Sequence, residues 1–290
     1  MQRKSKNKMK LKISIFLFMT IFSASVFAQN SSHWKRKKRI AQELQLFHST
    51  FSINLPTAET LQKGDFEFEI SHRFVPPITE GAQVLYGLDG PVNMRIALGY
   101  ALSNRIVATL GRSNVEDNVD FHLKAKALQI RNKAFPVLLS LQGGIARNAQ
   151  PYRLLNDSSR KYQYYVQAVL NTLLYKKLGI GIVPAYLYNS HIYCVDTKYS
   201  FTMGNYVQYY VSPLWSVLAE WIPTVTGWRQ WHNSMSFGIE LETGGHFFKI
   251  FFTNNDKLNT SQYMSGADMN FGRGDWRLGF MITRLLKFGK

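Results

Sequence analysis

The chain has 290 residues, 46% of them hydrophobic, 14% aromatic and only 18% charged, a composition that excludes disorder over most of its length. Lys and Arg number 35 against 18 Asp and Glu, for a formal net charge of +17. Such an excess would suit a nucleic-acid binder, so the position of the charge decides its meaning.

Taken in chain order, the first twelve residues, MQRKSKNKMKLK, carry six basic side chains and no acid, and an apolar run follows over 13–28. A basic stretch, a short apolar stretch and small residues before a cut predict a secretory signal peptide over 1–28. Val26 and Ala28 occupy the positions a signal peptidase reads, which places cleavage between Ala28 and Gln29. The apolar run is shorter than the roughly 20 residues of a spanning helix, and Gln29 is not the Cys that a lipoprotein needs. Loss of this leader lowers the charge from +17 to +11, and five more basic residues lie together as Lys35, Arg36, Lys37, Lys38 and Arg39. That cluster reads as a solvated tail, and export leaves no nucleic acid in reach.

Residues 29–63 are expected to form a periplasmic N-terminal extension. RIAQELQLF (39–47) suits one or two helical turns, and LPTAETLQKG (55–64) is a turn-rich lead-in in which Pro56 fixes the chain. Three placements remain open for it: a plug, a position under a barrel mouth, or a mobile segment.

From Gly64 onward the hydrophobic period is two. In GDFEFEISHRF, Phe66, Phe68, Ile70 and Phe74 oppose Glu67, Glu69, Ser71 and Arg73; in NSMSFGIELET, Met235, Phe237, Ile239 and Leu241 oppose Ser236, Gly238, Glu240 and Glu242. Runs of this kind cover 64–74, 93–102, 104–113, 119–130, 136–147, 162–175, 178–189, 199–212, 213–223, 233–243, 245–255 and 275–288. They exceed the five or six residues usual in soluble sheets and suit a tilted bilayer crossing. The links between them alternate long and short, as in barrels with short periplasmic turns and longer external loops. Tyr100, Tyr162, Tyr164, Tyr186, Tyr188, Tyr209, Trp215, Trp221, Phe280 and Phe288 fall near strand ends, where an interfacial girdle belongs. The prediction is an all-β, antiparallel up-and-down transmembrane β-barrel of about 12 strands over 64–290, in a cell outer membrane. Its partners would be outer-membrane lipid, lipopolysaccharide and the barrel assembly machinery, which reads a last strand ending near an aromatic. Oligomeric state is not legible.

Several blocks carry a family resemblance: LPTAETLQKGDFEFEISHRF (55–74), YGLDGPVNMRIALGYALSNRIVATLGRS (86–113), LETGGHFFKIFFTNN (241–255) and GDWRLGFMITRLL (274–286). In this order they resemble an uncharacterised family of outer-membrane β-barrels from Gram-negative bacteria, domain of unknown function 5777. The resemblance implies one barrel domain and an outer-membrane address, and brings no activity with it.

In such a barrel the polar phase faces the lumen. Glu67, Glu69, Arg73, Arg95, Glu220, Glu240, Glu242 and Lys249 are therefore the candidate lumen-lining residues. They either line a narrow passive channel, or a site for a small solute, or fill the lumen of a non-transporting structural or adhesive surface barrel acting through loops 148–161 and 255–274. A lipid esterase is the weakest reading. His232 and Ser234 have the i, i+2 spacing of an outer-membrane phospholipase, but Met235 and Ser236 depart from that pattern and no glycine-rich Asn context accompanies them. No catalytic role, cofactor or metal is expected. His72 and His246 share the phase of apolar neighbours and read as outward residues, and Cys194 is alone. Gly244-Gly245 suits a tight turn that needs positive φ, whereas Gly143-Gly144 within a strand suits a bend or a place kept free of side chains.

Overall fold

The fold was obtained as a computed structural model and is described for residues 43–149, 161–191, 194 and 196–287. The expected signal peptide, its cleavage site, the basic cluster 35–39, most of loop 148–161 and Phe288 lie outside these residues.

Among the described residues, alternation resolves into strands β1 (Phe66–Phe74), β2 (Val92–Ser103), β3 (Ile106–Ser113), β4 (Asn118–Ile130), β5 (Val137–Asn148), β6 (Tyr162–Leu174), β7 (Leu178–Tyr188), β8 (Tyr199–Tyr210), β9 (Trp215–Ile222), β10 (Thr224–Gly227), β11 (Ser234–Thr243), β12 (His246–Thr253) and β13 (Arg277–Leu286). Each pairs antiparallel with its neighbours in sequence from β1 to β9, β9 then pairs with β11, and β13 returns to β1. Twelve strands thus close a ring without an edge, which is what a sheet needs to satisfy its backbone in lipid.

The thirteenth strand is a continuation. Pro223 has no N–H to give, yet its carbonyl accepts from Met203 N at 3.0 Å, and beyond it β10 pairs with the start of β8 as far as Gly227↔Ser200. Residues 224–227, read from sequence as the beginning of a loop, therefore prolong β9 past a proline-induced irregularity.

Burial alternates with the same period. Leu98, Leu110, Phe121, Leu141, Val166, Val207, Val217 and Ile250 each expose 42–58% of their surface outward. A soluble monomer does not leave a contiguous apolar belt of this kind open to water; this one faces lipid. His72, stacked on Phe280 at 4.3 Å, and His246, stacked on Phe248 at 6.1 Å, share that outer phase. The outward tyrosines and tryptophans gather at two levels: Tyr164 with Tyr188 and Tyr186 with Tyr199 at the long-loop end, and Tyr100, Tyr209 and Trp215 at the short-turn end. The Leu110→Arg substitution, at mid-strand on this belt, is expected to cost about 2–4 kcal/mol in urea unfolding from lipid vesicles, and a cost near zero would count against a lipid-facing position.

The short turns at one end include Gly244-Gly245, whose φ values of +56° and +93° are those a tight hairpin demands. At the other end, loop 254–276 does not project outward. It folds back over the barrel through the single-turn helix α1 (Thr260–Tyr263), leaving Tyr263 and Met264 fully buried.

Residues 46–61 lie largely inside the lumen, and the flanking residues 43–45 and 62–63 sit at its short-turn rim, where Glu43 meets Arg105 and Lys63 N meets Asn104. Residues 43–47 are not helical: the N–H groups of Leu46 and Phe47 instead meet the Glu59 carboxylate at 2.7 and 3.1 Å. The chain runs in from the short-turn end and reverses at a tight turn in which Ser52 N meets Leu55 O at 2.8 Å. It then runs back, pairing Phe51 with Pro56, and continues into β1. The core of the molecule is therefore inside the barrel: Phe47, Leu55 and Ala58 of this segment pack with inward Leu138, Val169, Val183 and Tyr206 and with Met264 of the returning loop.

Candidate functional site

The lumen is built from the polar phase of the strands. On β1, Glu67, Glu69, Ser71 and Arg73 point inward because Phe66, Phe68, Ile70 and Phe74 take the lipid side. The same rule places Arg95 on β2, Glu220 on β9, Glu240 and Glu242 on β11 and Lys249 on β12 on the inner phase. Seven of these eight are buried, and Glu242 sits half-buried at the short-turn rim, where His48 Nδ1 lies 2.5 Å from its carboxylate.

Two kinds of partner hold these charges. The first is the wall itself, together with the loop that returns over it. The Arg95 guanidinium bridges Glu69 at 2.6 Å and Asp120 at 2.7 Å, and Lys249 Nζ lies 3.1 Å from Glu240, whose other oxygen accepts from Gln208 at 2.7 Å. Arg277 makes a two-pronged pair with Asp268 of the returning loop, 2.7 Å on each prong. Charges in so dry a space persist only when paired and hydrogen-bonded.

The second partner is the segment 43–63. Glu220 accepts the N–H groups of Ile53, Asn54 and Leu55 at 2.6, 2.9 and 3.0 Å, a carboxylate seated in the concavity of a turn. Arg73 donates to the Asn54 side chain and to Ser71 at 3.0 Å, and its guanidinium lies 4.3 Å over the Phe251 ring. Glu67 accepts from Thr50 Oγ1 at 2.7 Å, and Lys124 Nζ reaches the carbonyls of Thr50 and Thr57 at 3.4 and 3.3 Å. Lys126 lies 3.6 Å from Glu59. Burial pushes the Glu59 carboxyl up, against the downward pull of Lys126 and of the two N–H groups it accepts.

From the other end Tyr263 donates its hydroxyl to the Asn54 carbonyl, so the returning loop and the N-terminal segment meet in mid-lumen. The charges that could either line a passage or close it surround a filled interior. Gly179 shows how tightly: a Cβ there would lie 2.5 Å from the Phe47 ring, whereas one at Gly143 would meet nothing nearer than 3.7 Å. Gly179→Ala is expected to cost about 1–3 kcal/mol by overpacking and to speed hydrogen exchange at Leu46 and Phe47, with Gly143→Ala nearly silent; equal effects would contradict the close approach. Gly144 leaves its space to the Tyr165 ring, which a Cβ would approach to 2.5 Å.

The run 119–130 emerges as β4, but its inward Asp120, His122, Lys124 and Lys126, which supply much of the inner charge, are not among the candidate lumen-lining residues read from sequence. The signal was there, since they alternate with Val119, Phe121, Leu123 and Ala125. The partners Asn54 and Tyr263, on segments without periodicity, left no such mark.

The Ser234 hydroxyl donates to the Tyr263 carbonyl at 2.6 Å and accepts from Asn255 Nδ2 at 2.7 Å, while the His232 backbone bridges Ala267. Among the described residues no group of three or more His, Cys, Asp or Glu is placed to hold a metal ion.

Three solved barrels illustrate what this chain is similar to. The COG4313 outer membrane channel from Pseudomonas putida F1 is 13% identical with a TM-score of 0.49, covering 79% of this chain and 98% of that one. The NanC porin is 12% identical with a TM-score of 0.46, covering 77% and 100%. The N156A active-site mutant of outer membrane phospholipase A from Escherichia coli is 10% identical with a TM-score of 0.45, covering 78% and 91%. At these identities and scores the likenesses bear on no residue's role. None of the curated proteins matches the chain. The match that decides is one of sequence over residues 47–286, from within the N-terminal segment to the last strand: the chain belongs to the family described as membrane bound beta barrel domain (DUF5777).

Proposed function

We propose that this protein is an outer-membrane channel for small polar solutes, held in a plugged state by its own residues 43–63. The observation that carries the reading is the way the segment is seated. The lumenal charges Glu220, Lys124 and Lys249 hold its main chain by hydrogen bonds, each of which water can take over when the segment leaves. The apolar belt keeps the barrel in contact with outer-membrane lipid and lipopolysaccharide, and β13 is the strand the assembly machinery would read. The reading is non-enzymatic, with the Ser234 hydroxyl spent on a backbone carbonyl.

A second reading, a non-transporting structural barrel, draws on the apolar packing of Phe47, Leu55 and Met264 across the lumen. Planar-bilayer recording separates the two. The wild-type chain is expected to open rarely and Glu220→Gln more often, whereas folded protein that gives no conductance step in either form is the structural barrel. Absence of lipid hydrolysis by the wild-type chain would remove the esterase; hydrolysis lost in Ser234→Ala would restore it.

A further inference from the structure

The solute class can be read from what the lumen already holds. Between Thr50 and Ala58, every residue but Ser52 gives the surrounding barrel or returning loop a main-chain group. The N–H groups of 53–55 go to Glu220, the carbonyls of Thr50 and Thr57 to Lys124, and that of Phe51 to Lys249 at 3.0 Å. Tyr263 and Tyr206 donate to the carbonyls of Asn54 and Pro56, the latter at 3.3 Å. At Ala58 both groups are used: Ser140 Oγ donates to its carbonyl at 2.7 Å, and Asn171 Oδ1 accepts its N–H at 2.6 Å. These are groups that any peptide possesses whatever its side chains, and main-chain bonding is how proteins bind peptides without reading their sequence.

The charges complete the pattern. Arg95 is neutralised by the wall through Glu69 and Asp120, but Lys124 and Lys126 on β4 and Glu220 on β9 are bonded to the segment. Four strands stand between β4 and β9 in the ring. Withdrawal of the segment would leave Lys124 and Lys126 on β4, with Glu67 of β1 beside them, and the Glu220 carboxylate on β9, with Arg73 of β1 beside it. The excess of ammonium groups at β4 and the carboxylate at β9 suit a molecule with an anionic end and a cationic end.

Resting on the channel reading above, we propose that the solute is a short peptide with free termini, its main chain taking the bonds now made by residues 50–58. Its carboxylate would meet Lys124 and Lys126 and its ammonium Glu220, so that the N-terminal segment acts as a tethered stand-in for the cargo. A neutral saccharide of similar mass offers hydroxyls, but neither the alternation of N–H and C=O nor the terminal charges.

The test uses the full chain in proteoliposomes and compares tri-alanine, tri-alanine acetylated and amidated at its ends, and a neutral saccharide of similar mass. Tri-alanine is expected to enter about tenfold faster than the saccharide, with the capped peptide between them. Lys124→Met, checked for folding by its altered mobility on unheated gels, also removes a bond that seats the segment, so it should raise saccharide flux while lowering the ratio of tri-alanine to saccharide flux several-fold. The wild-type comparison stands without that variant. Saccharide flux equal to or above peptide flux would overturn the peptide assignment and leave the channel intact; no flux of any solute from folded protein would overturn the channel itself.

Discussion

Glu220→Ala is expected to unseat the lumenal segment, with the amides of Ile53, Asn54 and Leu55 exchanging about a hundredfold faster than in the wild-type chain. The carboxylate is 2% exposed and accepts all three N–H groups, two of them within 2.9 Å. A hydrogen bond to a charged group contributes about 1.5–3 kcal/mol, and truncation would leave three donors facing a cavity. Water entering that cavity recovers part of the loss, so a net cost of about 3 kcal/mol is expected, which is the hundredfold. Glu220→Gln, which keeps one oxygen acceptor, should fall between. The same measurement on Gly64 N, bonded to Ala101 O at 3.0 Å where the chain enters β1, should show no change, since that bond belongs to the barrel. Exchange unchanged at 53–55 would mean that apolar packing alone holds the segment.

What could be read without coordinates follows from what sets each part. Strands obey period two because one side chain in two meets lipid, so Phe66 and Phe68 against Glu67 and Glu69 declare both a strand and its facing. The inward residues were legible for that reason. β10 was not, because Pro223 and Gly227 break the pattern at the place where the strand resumes. The position of 43–63 was illegible for a different reason. Its bonds reach across 165 to 167 residues to Glu220 and 113 to Asn171, and a segment without regular structure has no local periodicity to announce such partners. The returning loop is alike: Tyr263 meets Asn54 across 209 residues. A filled lumen is thus a property of pairings between irregular segments and the regular wall, and only the wall is written locally.

The Arg95→Met substitution is the severest test of that wall. Arg95 lies between Glu69 and Asp120, its side chain and theirs each no more than 5% exposed, and it packs over Gly111 of β3, where a Cβ would come within 2.2 Å of the guanidinium. Methionine fills the stem's volume but leaves two carboxylates in a dry space with no cation between them. Breaking a buried pair from one side costs about 3–5 kcal/mol, because the abandoned charge remains; here two are abandoned, and the upper end is expected in urea unfolding from lipid vesicles. Neutralising all three, as Arg95→Met with Glu69→Gln and Asp120→Asn, removes the stranded charges and should recover most of the loss. Gly111→Ala approaches the same triad sterically. If it acts by pushing the guanidinium off its carboxylates, its cost in the Arg95→Met background will fall well below its cost in the wild-type chain, whereas simple additivity would place its effect elsewhere on β3. A triple variant no more stable than Arg95→Met alone would show that the arginine's contribution is packing over Gly111 and not charge.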